Sequence, residues 1–230
     1  MLRNSWTSDP SALMARFESL GIISLSVIDQ PLSKVATVIQ NWLGTSEGRW
    51  LFSWNELDFL HVISAGQEYS PHRQKIVAWT PACLPVGTAF LSNEMHGHGP
   101  VPVVSKELAA NAILLRVSRS PGDEICEFNY LLNGLDRRFV RVMHDGDRWE
   151  FFGRGDPLQF EDQVSYQRRR IRDRFTPSML SLYCDALGFP VGAHAFWTSG
   201  NPAFSGEWMT AEEYAGRVAR LAARDGEDPR

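Results

Sequence analysis

The chain has 230 residues, 43% hydrophobic and 22% charged, with a formal net charge of −4. That length can bury a core in one domain and is short for two, so 1–230 is expected to be a single α+β domain, and a near-average globular composition argues against disorder along the whole chain. The mild acidic excess argues against a dedicated nucleic-acid binder, which needs a basic face for phosphate.

No apolar run follows Arg3, as a secretory signal requires, and no segment reaches the ~18 continuous apolar residues of a membrane span. Cys83, Cys126 and Cys184 are odd in number, far apart and free of any Cys-x-x-Cys pair. That is the usage of reduced thiols, and the expected compartment is the cytoplasm.

In chain order, Asp9 caps and Pro10 opens a first helix with Leu13, Phe17 and Leu20 on one face, and Gly21 stops it. Ile22 to Ile28 is β-branched and predicts a strand. Pro31 then starts a helix with Leu32, Val35, Ile39 and Trp42 as its apolar stripe and Gly44 as its end. Trp50, Leu51, Phe52 and Trp54 predict a strand, after which Asn55 can cap a short helix carrying Leu57, Leu60 and Ile63. Lys75 to Trp79 and Thr88 to Leu91 predict short strands, Ser92 to Pro102 a loop rich in glycine and proline, Ser105 to Asn111 a short helix, and Ile113 to Val117 a buried strand.

The middle third carries the clearest pattern. Cys126, Phe128, Tyr130 and Leu132 alternate with Glu127 and Asn129, the period-two signature of a half-buried strand. Asn133-Gly134 follows, a pair that tolerates the positive φ a tight hairpin needs, and Arg137 to Met143 returns as the partner strand. Asp145-Gly146 marks a second turn into Arg148 to Phe152, which completes an antiparallel meander. Asp162 then caps a helix that turns Val164, Ile171 and Phe175 inward. Thr176-Pro177 starts another, with Leu180, Tyr183 and Leu187 as its stripe and Gly188 as its stop. Gly192 to Gly206 predicts an ordered loop. Thr210 and Glu213 form a capping box ahead of a last helix with Tyr214, Val218 and Leu221 on its apolar face. The implied class is α+β: an antiparallel or mixed sheet with a central β-meander and helices packed on it.

Several constellations bear on chemistry. No Gly-Lys dipeptide is present for a phosphate loop, and no Gly-x-Gly-x-x-Gly or His-Glu-x-x-His; no Gly-x-Ser-x-Gly nucleophile turn is expected either. His96 and His98 flank Gly97, but two ligands in a glycine- and proline-rich loop do not make a metal centre, and no metal or cofactor is expected. Glu56 and Asp58, with Glu68, His61 and His72 further along, would do acid–base work only if a pocket raised one carboxyl, and the plainer reading is the wet face of a strand. His144 beside Asp145 sits where turns collect Asp and Gly for backbone reasons. Cys184, with His194 beyond its helix end, fits a packed thiol better than a nucleophile. Arg168, Arg169, Arg170, Arg172 and Arg174 crowd one predicted helix and suit phosphate or an acidic surface, although Asp156, Glu161, Asp162 and Asp173 dilute the charge. Trp54 beside Glu56 and Asp58, and Trp197 in a polar loop, are the tryptophans to check for exposure, since tryptophan is enriched at interface anchors.

The run Arg141-Val142-Met143, Asp145-Gly146-Asp147-Arg148-Trp149-Glu150-Phe151-Phe152, Gly155, Pro157, Phe160-Glu161 and Arg170-Ile171-Arg172-Asp173-Arg174, within Arg137 to Gly188, resembles a pattern in uncharacterised bacterial α+β proteins of toxin-immunity style. The resemblance covers under a quarter of the chain and rests on turn, strand and cap residues, so it implies fold more than activity and carries over no catalytic residue. The expectation is a non-catalytic cytoplasmic protein-binding protein, an immunity protein neutralising a toxin, with Trp54, Glu56, Asp58 and Glu68 as partner-binding residues. The alternatives are a small-molecule enzyme using His61 or His144 with a carboxylate, and nucleic-acid binding through the arginine-rich helix.

Overall fold

A computed structural model describes residues 23–44, 49–57, 74–93, 99–119 and 121–225, the last five by backbone alone. The predicted first helix, the short helix after Leu57 and the His96–His98 loop lie outside the described residues.

Among the described residues nine strands form one open antiparallel sheet: β1 (Ile23–Ile28), β2 (Arg49–Asn55), β3 (Lys75–Trp79), β4 (Thr88–Ser92), β5 (Asn111–Ser118), β6 (Ile125–Leu132), β7 (Leu135–Asp145), β8 (Arg148–Arg154) and β9 (Ala203–Met209). Their spatial order is β2-β9-β3-β4-β1-β5-β6-β7-β8, so β2 and β8 are the edges. Four helices among the described residues accompany the sheet: α1 (Leu32–Gly44), α2 (Val101–Glu107), α3 (Pro177–Ala186) and α4 (Ala211–Asp225). Among the described residues no helix is long and apolar enough to cross a membrane. The protein is α+β, with helices packed on a sheet that is antiparallel throughout and largely meander-like.

The meander follows from its turns. Asn133 and Gly134 take φ of +54° and +75°, the double positive φ whose twist matches the flanking strands. Both faces of the sheet are covered by the chain's own apolar groups. On one, Leu32, Val35, Ala36, Ile39 and Leu43 of α1, with Val101 and Val104 of α2, bury Ile28, Ile76, Ala78, Phe90, Ala112 and Leu114. On the other, residues 158–197 wrap over Leu25, Val27, Leu91, Leu115, Phe128 and Val140, with Phe175, Leu180, Tyr183 and Phe196 as the inner surface.

Five expectations are corrected. Trp42 does not end the α1 stripe; it is 40% exposed, and Leu43 takes the inward position as a 3.6-residue period requires. The short helix expected at Ser105–Asn111 starts at Val101, where Pro102 occupies its first turn, and Asn111 opens β5. Glu127 and Asn129 are not on a wet face: they are 2% and 7% exposed. Glu127 lies between Arg116 of β5 and Arg141 of β7 in register, 3.8 Å from the Arg141 guanidinium, so charge pairing across strands makes its burial tolerable. No continuous helix spans Asp162–Phe175. Single 3₁₀ turns at Ser165–Gln167 and Ile171–Asp173 stand there, with Val164 82% exposed. Finally, the predicted loop to Gly206 contains most of β9, an interior strand between β2 and β3.

Candidate partner-binding surface

Trp54 and Glu56 come together at the β2 end of the sheet. Trp54 lies on the α1 face of β2, 50% exposed, its ring 5.3 Å from that of Phe204 on β9. Trp50 and Phe52 occupy the same face, and Phe52 stacks on Phe204 at 5.3 Å. Glu56 follows the last residue of β2, is exposed, and makes no hydrogen bond or ion pair to the described residues. Asp58 and Glu68, the other two predicted anchors, lie outside the described residues, as do His61 and His72.

Behind Trp54, on the opposite face, is a hollow of about 560 Å³. Leu51, Leu57, Val77 and Ala203 give it an apolar floor; Ser53, Asn55, Ser205, Glu56, Glu207 and Arg217 give it a polar rim. The rim is ordered by its own contacts. Ser53 Oγ and Ser205 Oγ, register partners across β2 and β9, are 2.9 Å apart, and Asn55 Nδ2 donates to Ser53 Oγ at 2.7 Å. Glu207 is engaged on both oxygens, by Arg217 Nη1 of α4 at 2.8 Å and by Lys75 Nζ of β3 at 3.5 Å. The capping box holds α4 in place: Glu213 N donates to Thr210 Oγ1 at 3.3 Å, and Thr210 N to Glu213 Oε2 at 3.0 Å. Tyr214 of that helix is half-buried beneath Arg49, whose guanidinium carbon is 5.9 Å from the ring centroid, while Val218 is 41% exposed; Leu221 lies outside the described side chains.

Ser205, Glu207 and Arg217 are not among the residues the sequence singles out: Ser205 falls in the predicted Gly192–Gly206 loop, and Glu207 and Arg217 meet the β2 residues only through the pairing of β9 with β2. The available signal was the alternation of Phe204 and Trp208 with Ser205 and Glu207, interrupted at Gly206. A Cβ at Gly206 would lie 3.0 Å from Ile76 and from Phe52, so glycine there lets three strands close up rather than marking a loop.

The other candidate groups stand elsewhere. Cys184 and Cys126 are buried, and burial pushes both thiols up, which keeps them protonated at neutral pH and unsuited to nucleophilic attack. The His144 ring lies 5.3 Å from that of Trp149, tilted by 55°, with Nδ1 3.6 Å from Glu124, near the end of β7 and far in sheet order from Glu56. Trp197 is buried, its indole N–H donating to Val191 O at 2.8 Å. Arg168, Arg169 and Arg170 are exposed between the two 3₁₀ turns and Arg172 is exposed on the second, so binding through an arginine-rich helix loses its helix. The expected absence of Gly-x-Ser-x-Gly is corrected as a matter of spacing, since Gly44-Thr45-Ser46-Glu47-Gly48 has it. A nucleophile turn needs strand–turn–helix; this stretch leaves α1 and enters β2, the reverse order. Ser46 itself lies outside the described residues.

The most connected polar cluster is buried and internally satisfied. Arg138 Nε and Nη2 donate to Glu161 at 2.8 and 2.7 Å, and Arg138 Nη1 to Gly155 O at 2.8 Å. Glu161 also accepts from Tyr166 Oη at 2.8 Å and Leu158 N at 2.9 Å, and the Tyr166 and Tyr183 hydroxyls meet at 2.9 Å. This cluster ties the 158–197 layer to β7. Burial first, then hydrogen bonding to Tyr183 and Glu161, pushes the Tyr166 phenol far up, and burial raises Tyr183. A phenol raised in the folded state stabilises below its unfolded pKa of about 10, and that contribution is lost as pH rises. The thermal midpoint is therefore expected to fall between about pH 9 and 11, and to fall less in Tyr166→Phe. Parallel profiles of the two proteins would contradict the assignment.

The class defined by this architecture is an α+β protein with a nine-stranded antiparallel sheet between two covering layers and a polar-rimmed hollow at one end. No family model, no curated protein and no solved structure matches the chain.

Proposed function

We propose that the chain is a non-catalytic protein-binding protein whose partner docks on the β2 end of the sheet, with Trp54 and Glu56 as anchors. The observation that carries this is Trp54, half in water on an edge strand while Trp79 and Trp197 are buried. A large rigid aromatic on an edge strand, two residues from an exposed carboxylate and with a hollow on the strand's other face, has the make-up of interface hot spots. The resemblance of Arg137 to Gly188 to toxin-immunity proteins supports a secreted toxin as the partner and the bacterial cytoplasm as the place of action.

A specific complex would bury on the order of 1,600 Å² in total. Affinity capture from the native host, with mass spectrometry, should return one stoichiometric protein. Trp54→Ala and Glu56→Ala should together weaken that complex at least about tenfold, roughly 1.4 kcal/mol. An unchanged affinity would refute the assignment of the surface. Recovery of a metabolite and no protein would refute the binding-protein reading.

A further inference from the structure

We propose that the partner adds an extended segment to the outer edge of β2 and directs an arginine or lysine side chain into the hollow beside Glu56. This rests on the protein-binding reading above.

The edge is defined by the ladder. Trp208 N donates to Gln74 O at 2.8 Å, so the main-chain groups of Trp208 face β3. In an antiparallel ladder the N–H and C=O of one residue point to the same side, and successive residues alternate. Glu207, Ser205 and Ala203 therefore bond Leu51, Ser53 and Asn55, while the N–H and C=O groups of Trp50, Phe52 and Trp54 point away from β9. Among the described residues nothing pairs with that outer side. It also lacks the proline, bulge or inward-pointing charge with which exposed edges are usually blunted.

A segment paired there would place alternate side chains on opposite faces. Those on the α1 face would lie against Trp54 and Phe52. Those on the other would sit over Leu51, Ser53 and Asn55, which line the hollow. Residues opposite Ser53 form a non-hydrogen-bonded pair on the added side, where side chains approach most closely.

Charge selects the guest. Arg217 and Lys75 both engage Glu207, and among the described residues Glu56 is the rim carboxylate with no ion pair of its own. Leu51, Leu57, Val77 and Ala203 below it suit a long aliphatic stem. A cation on a flexible apolar arm meets both demands, whereas an acidic side chain would meet Glu56 and a purely apolar one would leave it unpaired.

The test uses short synthetic peptides of alternating threonine and valine with a central Arg, Lys, Gln or Glu, titrated calorimetrically into the full chain. The Arg and Lys peptides should bind at least about tenfold more tightly than the Glu peptide, and Glu56→Gln should abolish that preference. N-methylation of alternate amides should abolish binding in one register and spare it in the other, because only one set of N–H groups reaches β2. Trp54→Pro removes an outward N–H without touching the β9 ladder. It should bind at least about tenfold more weakly than Trp54→Thr, with both variants melting alike.

Indifference to N-methylation or to charge sign would overturn the proposal. So would the absence of any peptide binding, or saturation of the edge by a second copy of this chain in sedimentation. A captured partner that binds Trp54→Pro as well as Trp54→Thr would sink the strand addition while leaving the protein-binding reading intact.

Discussion

Glu161→Ala is expected to lower stability by about 3–5 kcal/mol, read as a drop in the urea midpoint. The carboxylate is fully buried and accepts from Arg138, Tyr166 and Leu158 N–H. Its removal leaves a guanidinium that is only 5% exposed with no counter-charge. Against a total of about 5–15 kcal/mol for a typical domain, that is a large fraction. The double variant Arg138→Met/Glu161→Leu should recover much of the loss, since it removes the buried charge along with its partner. A single variant with the wild-type midpoint would show that the cluster does not hold the outer layer.

Gly155→Ala should be nearly as damaging, at about 2–5 kcal/mol from positive-φ strain plus overpacking. Gly155 has φ of +81°, and a Cβ there would be driven into the Arg137 carbonyl, which is backbone and cannot step aside. Gly146 supplies the control. It too has positive φ, +63°, but a Cβ would meet nothing within 4 Å, so Gly146→Ala should lose only about 1–2 kcal/mol. Equal losses in the two variants would show that conformation, not the close approach of the two chain segments, decides the effect.

What could be read from the sequence was what neighbouring residues decide between themselves. Asn133-Gly134 specifies its own turn, Thr210 and Glu213 cap their own helix, and Thr176 Oγ1 accepts from Met179 N at the start of α3. Each is complete within four residues. The misreadings occur where a distant group overrides the local pattern. Between Asp162 and Phe175 the spacing is helical, but the Arg168 carbonyl, which a helix would bond to Arg172 N–H, is taken by the Arg174 side chain at 2.8 Å. Arg168 adopts ψ of 141° and the helix cannot propagate. Glu127 reads as solvent-facing because its neighbours in sequence alternate, yet it lies in register with Arg116 of β5 and Arg141 of β7 and contacts the Arg141 guanidinium. The hollow was hidden for the same reason: its rim joins residues 53–56 to residues 205–217, a juxtaposition created only when β9 slots between β2 and β3.

The two borders of the described sheet differ in character, and the difference bears on the strand addition proposed above. β8 presents Arg148, Glu150 and Arg154, ion-paired within β8 and to Asp136, along its length, whereas β2 presents aromatics and hydroxyls. Charge at one border discourages further growth there. If a partner strand joins at β2 as proposed, a sheet with one permissive border among the described residues would be monovalent: growth would stop after one addition and give a closed complex, where two such borders would give a polymer.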